Sequence, residues 1–476
     1  MKGLLKNKDG KAGVIIIILA VIILIALVPW YFIIMGNLDE MTERNPAQSD
    51  ESDTPDDDSA EDEEIYYEPD YPPEPEQEIE QGAVIELPPV ETVIDISTVH
   101  SGLRDELNEI AAQYNAAAVS LTIYDGESGE FFTYGYGHAD LEDRRRVDED
   151  TKFRIASLAK LTTVICAMTL VDKYLLDLDM DISIYLGYEV RNSNYPDSVI
   201  TTRMLMQHTS SIFDSGAFQV SRDKDTSESV RYLLERGTSF RRNRPGSNFE
   251  YSNFGYAIIG AICENVAGKS LDTFARDVLF SPLGIDAGYI PSKMHDTENI
   301  AVIYNDKHSV TRTVQSQLNT EESTTLGHDL HLAQGNLTIS VVDYARILAM
   351  LGNGGVLGDV RILSQQAARD INNADVEGAA YKQGLATRYS FGDFIPSEGF
   401  YWHTGSAYGL FSQYLYSAND NVNRGIVVAT TGATSGRESN GMVSVCTKLA
   451  AAAWRELEAL KGEIAGFDHD EPDEDD

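Results

Sequence analysis

Three cysteines in 476 residues, Cys166, Cys263 and Cys446, are too few and odd in number to staple a fold by complete pairing. Each falls in an apolar, helix-like stretch, so buried free thiols are the expectation. None has the histidine and asparagine company of a cysteine nucleophile. Cations are scarce as well: 37 Lys and Arg against 76 Asp and Glu give a formal net charge of -39 and an isoelectric point near 4.4. That balance argues against nucleic acid as a partner, because its phosphates would repel the chain. Only nine histidines are present. His328 and His331 stand three apart without a third ligand, too little for zinc, so no metal or other cofactor is expected. There is no internal repeat. A long uncharged apolar run occurs once.

That run, Gly13 to Met35, follows Lys2, Lys6, Lys8 and Lys11, and acidic residues begin directly after it at Asp39 and Glu40. The asymmetry predicts a cytoplasmic basic segment over 1–12 and a transmembrane anchor over 13–36, with everything beyond exported. The alternative, a cleaved signal peptide, should have a shorter apolar core ending in small residues, whereas Phe32-Ile-Ile-Met35 ends this one. From 37 to 98 the composition turns to Glu, Asp, Pro and Tyr, with Arg44 the single cation. Self-repulsion and low hydrophobicity make this an expected disordered tether, with the Tyr66–Glu80 stretch read as solvated spacer rather than recognition segment. A folded domain is expected over 99–463 and an acidic disordered tail over 464–476.

Within the domain, Phe153-Arg-Ile-Ala-Ser-Leu-Ala-Lys160 leads into a stretch apolar on nearly every side, as a helix buried in a core would be. Ser157 and Lys160 would share one face of it. A serine alcohol is a poor nucleophile near neutral pH, and a desolvated lysine beside it can serve as base. About ninety residues on comes Pro245-Gly-Ser-Asn-Phe-Glu-Tyr251-Ser252-Asn253, followed by another apolar helical run. Far downstream lies Tyr401-Trp-His403-Thr404-Gly405-Ser406, leading into a strand-like segment.

In that order, Ser-x-x-Lys, Tyr-Ser-Asn and His-Thr-Gly resemble the active-site elements of the serine β-lactamase and penicillin-binding-protein superfamily, closest to its class C-like branch, which also holds D-alanyl-D-alanine carboxypeptidases, D-aminopeptidases and esterases. The resemblance runs from about Leu103 to about Leu460 and includes the flanks Gln207-His208-Thr209-Ser210, Ala333-Gln-Gly-Asn336 and Leu351-Gly-Asn-Gly-Gly355. It implies that Ser157 forms an acyl-enzyme, with Lys160 as base. Tyr251 would shuttle a proton to the leaving group, and Asn253 would bond Lys160 and the substrate amide. It further implies that Thr404, Gly405 and Ser406 line the substrate, with the backbone N–H groups of Ser157 and Ser406 as oxyanion hole. His403 departs from the better-known Lys-Thr-Gly. A histidine is mostly neutral at pH 7, which weakens capture of a substrate carboxylate. His208 is read as shaping its loop, and Arg154 is left without a role.

The expected activity is hydrolysis of peptide or ester bonds, foremost D-alanyl-D-alanine carboxypeptidase-like action on cell-wall peptides, with β-lactams as acylating ligands. Esterase, D-aminopeptidase, β-lactamase and non-turnover penicillin-binding sensor remain open. The expected fold is α+β. Leu103–Tyr114 reads as an amphipathic helix, Ala118–Tyr124 with Glu130–Tyr136 and Leu410–Ser417 with Gly425–Thr431 as hairpins, and Met442–Leu460 as a closing helix. Together they predict one antiparallel sheet flanked by helices, with a mostly helical second lobe between Ser157 and about Gly358.

Overall fold

The computed structural model describes residues 93–99, 101–126, 128–219, 230–377, 381–391, 399–417 and 422–467. The expected cytoplasmic segment and anchor, and the linker up to residue 92, lie outside them. Among the described residues no helix is long and apolar enough to cross a membrane.

A ten-stranded sheet organises the domain. Its main strands are β1 (Val93–Asp95), β2 (Ala118–Asp125), β3 (Glu130–Asp140), β4 (Arg388–Phe391), β5 (Gly399–Ala407), β6 (Leu410–Ser417) and β7 (Arg424–Thr431), in the spatial order β1-β3-β2-β7-β6-β5-β4. Both expected hairpins form, with Leu121 opposite Tyr134 and Leu415 opposite Ile426. The sheet is mixed rather than wholly antiparallel, because β1 runs parallel to β3 with Ile94 opposite Phe132. β1 also corrects the linker boundary. The alternating Val93-Ile-Asp-Ile96 run can pair and bury Ile96, so structure begins before residue 98.

Strand alternation divides the core in two. On one face Val119, Leu121, Ile123, Ile426, Val428 and Trp402 pack against α1 (Ser101–Gln113) and the last helix; on the other, Val427, Ala429 and Tyr414 meet the helical lobe. The centre of that lobe is α2 (Ala159–Asp172), in which every residue from Ala159 to Leu170 is buried. This is why its sequence shows no polar face. Around it lie α3 (Asn253–Ala267), α4 (Leu332–Gly335) and α5 (Val341–Gly352). The last helix, α6 (Ser444–Phe467), runs past the expected domain end at 463. All three cysteines are buried and unpaired.

Candidate active site

Ser157 sits on a strained turn. Ser157 lies in a single 3-10 turn, Ala156–Leu158, that feeds α2, rather than in the α-helix itself. Ala156 just before it has φ +50°, a left-handed conformation that costs a non-glycine residue about 1–3 kcal/mol. The neighbours hold it there. Ile155 N donates to Leu337 O (2.9 Å), Ser412 Oγ donates to Ile155 O (2.7 Å), and Tyr344 OH donates to Leu158 O (2.9 Å). Gly405 is required at this junction, since a Cβ there would run into Ile155 O and Ser412 Oγ. Its absence lets β5 lie directly against the serine turn. β4 pairs with β5 only over Gly399–Trp402, so among the described residues His403–Ala407 is paired on its β6 side alone. That open edge, beside a half-buried serine, is where an extended substrate could add as a strand.

Lys160 is wholly buried, and its ammonium has three donors for three acceptors. It donates to Ser157 Oγ (3.2 Å), Asn253 Oδ1 (2.9 Å) and Gln334 O (2.6 Å). As a neutral amine it would keep the two obligate acceptors, Asn253 and Gln334, on its remaining N–H groups. Its lone pair would then face Ser157, as a base for that hydroxyl requires. Tyr251 OH donates to Ser157 Oγ from the far side (3.1 Å), with its ring 5.1 Å from Lys160 Nζ. Ser252 caps α3 by accepting from Gly255 N, which sets Tyr251 and Asn253 at the helix start.

Two histidines flank Tyr251. His403, on β5, is 2 % exposed, and burial, then Arg388 and Lys160, hold its pKa well below the usual 6.5. Its Nδ1 lies 2.7 Å from Thr404 O, which only accepts, so Nδ1 carries the proton and the buried Nε2 is a free lone pair. His208, in a left-handed conformation (φ +60°), lies 4.4 Å ring to ring from Tyr251. Its Nδ1 accepts from Ser252 N (3.1 Å), and burial followed by Lys160 and Arg388 keeps it neutral too. It therefore shapes its loop, as expected, and also forms the back wall of the tyrosine.

Ser157, Lys160, Tyr251, Asn253, His403, Thr404 and Gly405 thus converge, and Ser406 stands exposed at the rim. Arg154 lies aside, donating to Gly335 O and stacking on Tyr408. His328 and His331 do not join a cluster: no three His, Cys, Asp or Glu side chains among the described residues could hold a metal. Three participants were missed by sequence reasoning. Gln334 acts through its carbonyl, which leaves no side-chain signal. Asp214 accepts from Asn253 Nδ2 (2.7 Å), and only its position six residues after His208 could have drawn notice. Arg388 on β4 brings its guanidinium to 4.6 Å from the Tyr381 ring, 5.0 Å from Trp402 and 5.8 Å from Tyr251, and its buried Nε has no hydrogen-bond partner. A lone arginine after a loop carries no pattern.

A family model described as Beta-lactamase matches residues 103–443. Curated relatives include Esterase EstB of Burkholderia gladioli, 29 % identical over 205 residues (40 % of this chain, 50 % of that one). Another is Penicillin-binding protein 4* of Bacillus subtilis, 26 % identical over 232 residues (46 % and 49 %). The chain therefore spans about half the length of these relatives. A class C β-lactamase from Rhodobacter sphaeroides superposes with a TM-score of 0.59 at 18 % identity, covering 75 % of this chain and all of that one, a likeness of fold.

Proposed function

The chain belongs to the β-lactamase family of serine hydrolases, and from that premise we propose that it cleaves D-amino-acid peptides ending in a free carboxylate, in the manner of a D-alanyl-D-alanine carboxypeptidase. The observation that carries this reading is Arg388. The motif position where a lysine would meet a carboxylate holds a neutral His403. Beside it, a guanidinium with no ion pair among the described residues lies against Tyr251, the proton donor to the leaving group. Desolvated arginine is well suited to a carboxylate, which it can grip through two parallel hydrogen bonds.

The reaction follows from the geometry. Ser157 Oγ bonds to the carbonyl carbon while its proton passes to Lys160. Tyr251 protonates the leaving nitrogen or oxygen as its bond to that carbon breaks and takes back a proton from the Lys160 ammonium; water then adds its hydroxyl to the acyl carbon and its proton to Ser157 Oγ, which releases the acid and restores all three groups. An esterase reading is favoured by one observation, the neutrality of His403, which suits an uncharged leaving group. The lysines before the apolar run and the acids after it support an exported domain anchored through 13–36, acting on wall peptides.

The test is kinetic. The protein is offered a D-Ala-D-Ala peptide, a chromogenic uncharged ester and a fluorescent penicillin, with Ser157→Ala as control. Acylation by any of them should vanish in Ser157→Ala. Arg388→Gln should shift the ratio of peptide to ester kcat/KM by about 10–100-fold, the worth of one charged hydrogen bond. An unmoved ratio would overturn the carboxylate assignment. Labelling that survives in Ser157→Ala would overturn the serine mechanism.

A further inference from the structure

We propose that Asp214 is the residue that holds the catalytic lysine in working order, a positioning residue acting through the amide of Asn253. The inference rests on the serine-hydrolase reading of the same site and names a part of it that the motifs do not contain. Asp214 lies outside α3 and receives three hydrogen bonds from the start of that helix: Ser252 Oγ (3.2 Å) and Phe254 N (2.9 Å) donate to Oδ1, and Asn253 Nδ2 (2.7 Å) donates to Oδ2. A carboxyl group that accepts three times and donates to none of its neighbours is the carboxylate, and it sits at the positive end of a fifteen-residue helix. Its own segment is pinned by Phe213 N donating to Ser239 O (3.0 Å) and by Arg241 stacked 3.6 Å over the Phe213 ring.

The two oxygens do different jobs. Oδ1 caps the helix. Oδ2 can only accept, so it compels Asn253 to turn its NH2 towards Asp214 and its carbonyl oxygen towards Lys160. That orientation gives Lys160 its second obligate acceptor and leaves the lone pair of the neutral amine for Ser157. With the amide reversed, its NH2 would bond that lone pair and divert it from the serine. Asp214 also sets the charge felt at the amine. The titratable groups facing Lys160 are Tyr251 and Tyr256, whose rings lie 5.1 and 5.3 Å from Nζ, and His208 and His403, both of which feel its charge. Burial keeps Tyr256 and both histidines uncharged near neutrality, so the anion joined to the lysine through hydrogen bonds is Asp214.

Asp214→Asn separates the two jobs. Phe254 N–H still requires an oxygen, so Oδ1 stays as the cap, and the new NH2 replaces Oδ2 and faces the NH2 of Asn253, which must reverse. The swap Asp214→Asn/Asn253→Asp restores a matched pair with the anion now in contact with Lys160. The full chain is labelled with [13Cε]lysine, and the Lys160 resonance is assigned by its loss in Lys160→Arg. Its titration midpoint should fall by roughly one pH unit in Asp214→Asn and rise above that of the parent in the double variant. The acid limb of the ester pH–rate profile should move in the same senses, and kcat/KM should drop about 100-fold in the single variant.

A merely structural Asp214 would lower the activity of both variants without moving the midpoints in opposite directions, and that result overturns the proposal. Should Asp214→Asn fail to fold, the double variant decides alone: a raised midpoint supports the role, and an unmoved or lowered one refutes it. Shifted midpoints in a parent protein that turns over no ester, peptide or penicillin would sink the hydrolase reading and leave the positioning role standing. Turnover with fixed midpoints would do the reverse.

Discussion

Replacing Gly260 by alanine should damage catalysis far more than folding. Gly260 lies inside α3, and a Cβ on it would come within 2.8 Å of Ala333 Cβ on α4. Ordinary carbon contacts need about 3.5–4.0 Å, so α4 must retreat by about 1 Å. The displaced helix carries Gln334, whose carbonyl holds Lys160 at 2.6 Å, and Ala333, whose carbonyl accepts from Thr163 Oγ1 at 2.9 Å. Overpacking of this size costs about 1–3 kcal/mol, and removing a glycine from a helix interior returns about 1 kcal/mol. The net loss of stability is therefore about 0–2 kcal/mol. A shift of about 1 Å in a group that positions the base costs about 100-fold in rate. Denaturant unfolding and ester kcat/KM, measured side by side, read the two effects. The variant Gly260→Ala/Ala333→Gly removes the clash while keeping the new methyl group, and it should recover most of the activity. Full activity in the single variant, or no recovery in the double one, would refute the view that close approach of these helices sets the lysine.

Three further outcomes follow from other positions. His403→Lys should lower KM for carboxylate-bearing substrates by up to about tenfold, measured with penicillin acylation rates; no gain would mean that residue 403 does not face the carboxylate. Burial and the nearby Arg388 and Lys160 depress the pKa of His403, so the unfolded chain takes up a proton below about pH 6.5 that the folded one refuses. Wild-type stability relative to His403→Gln should accordingly fall by about 1.4 kcal/mol per pH unit as pH drops below 6.5; a constant difference in urea melts between pH 5 and 7.5 would contradict this. Glu264 works in the opposite sense: burial, with Asp329 and Glu322 nearby, raises its carboxyl to about 7 despite N–H donors from Leu271 and Gly327. The folded state then holds a proton that the unfolded state releases near 4.5. Stability relative to Glu264→Gln should decline as pH rises from about 4.5 to 7 and level off above, by a comparable slope in the same assay.

Much of the sheet was legible because strand alternation is written locally. Val119, Leu121 and Ile123 declare one face by their spacing, and the sequences Asp125-Gly-Glu-Ser-Gly and Asn419-Asp-Asn-Val-Asn signal the hairpins. The mixed character of the sheet was not legible, since β1 is three residues long and pairs with a strand more than thirty positions away. Ser157 and Lys160 were legible from their spacing ahead of an apolar run, and Tyr251 and Asn253 through the resemblance carried by the Tyr-Ser-Asn motif. Ala156 was not. Its left-handed backbone arises only once Leu337, Ser412 and Tyr344 clamp the residues around it, and alanine itself gives no hint of such a conformation.

The histidine in His-Thr-Gly shows how a motif can mislead by being read alone. Taken by itself, the change from lysine removes a cation from the position that in the Lys-Thr-Gly pattern meets a carboxylate, and with it the specificity. In the folded chain the cation stands on the next strand. Arg388 pairs with Trp402, the residue before His403, and β4 leaves β5 immediately afterwards, so the guanidinium lies at the point where the paired edge ends and the open edge begins. Its packing against Tyr251, Tyr381 and Trp402 excludes water from the buried Nε, and an Nε without a hydrogen-bond partner among the described residues gains most from an arriving anion. The same charge helps to keep His403 neutral. A histidine is then the fitting partner, because a second permanent cation at 403 would be repelled by Arg388 and by Lys160 until substrate arrived. Charge at this end of the cleft is thus a property of two adjoining strands, and a change at either position has to be read against the other.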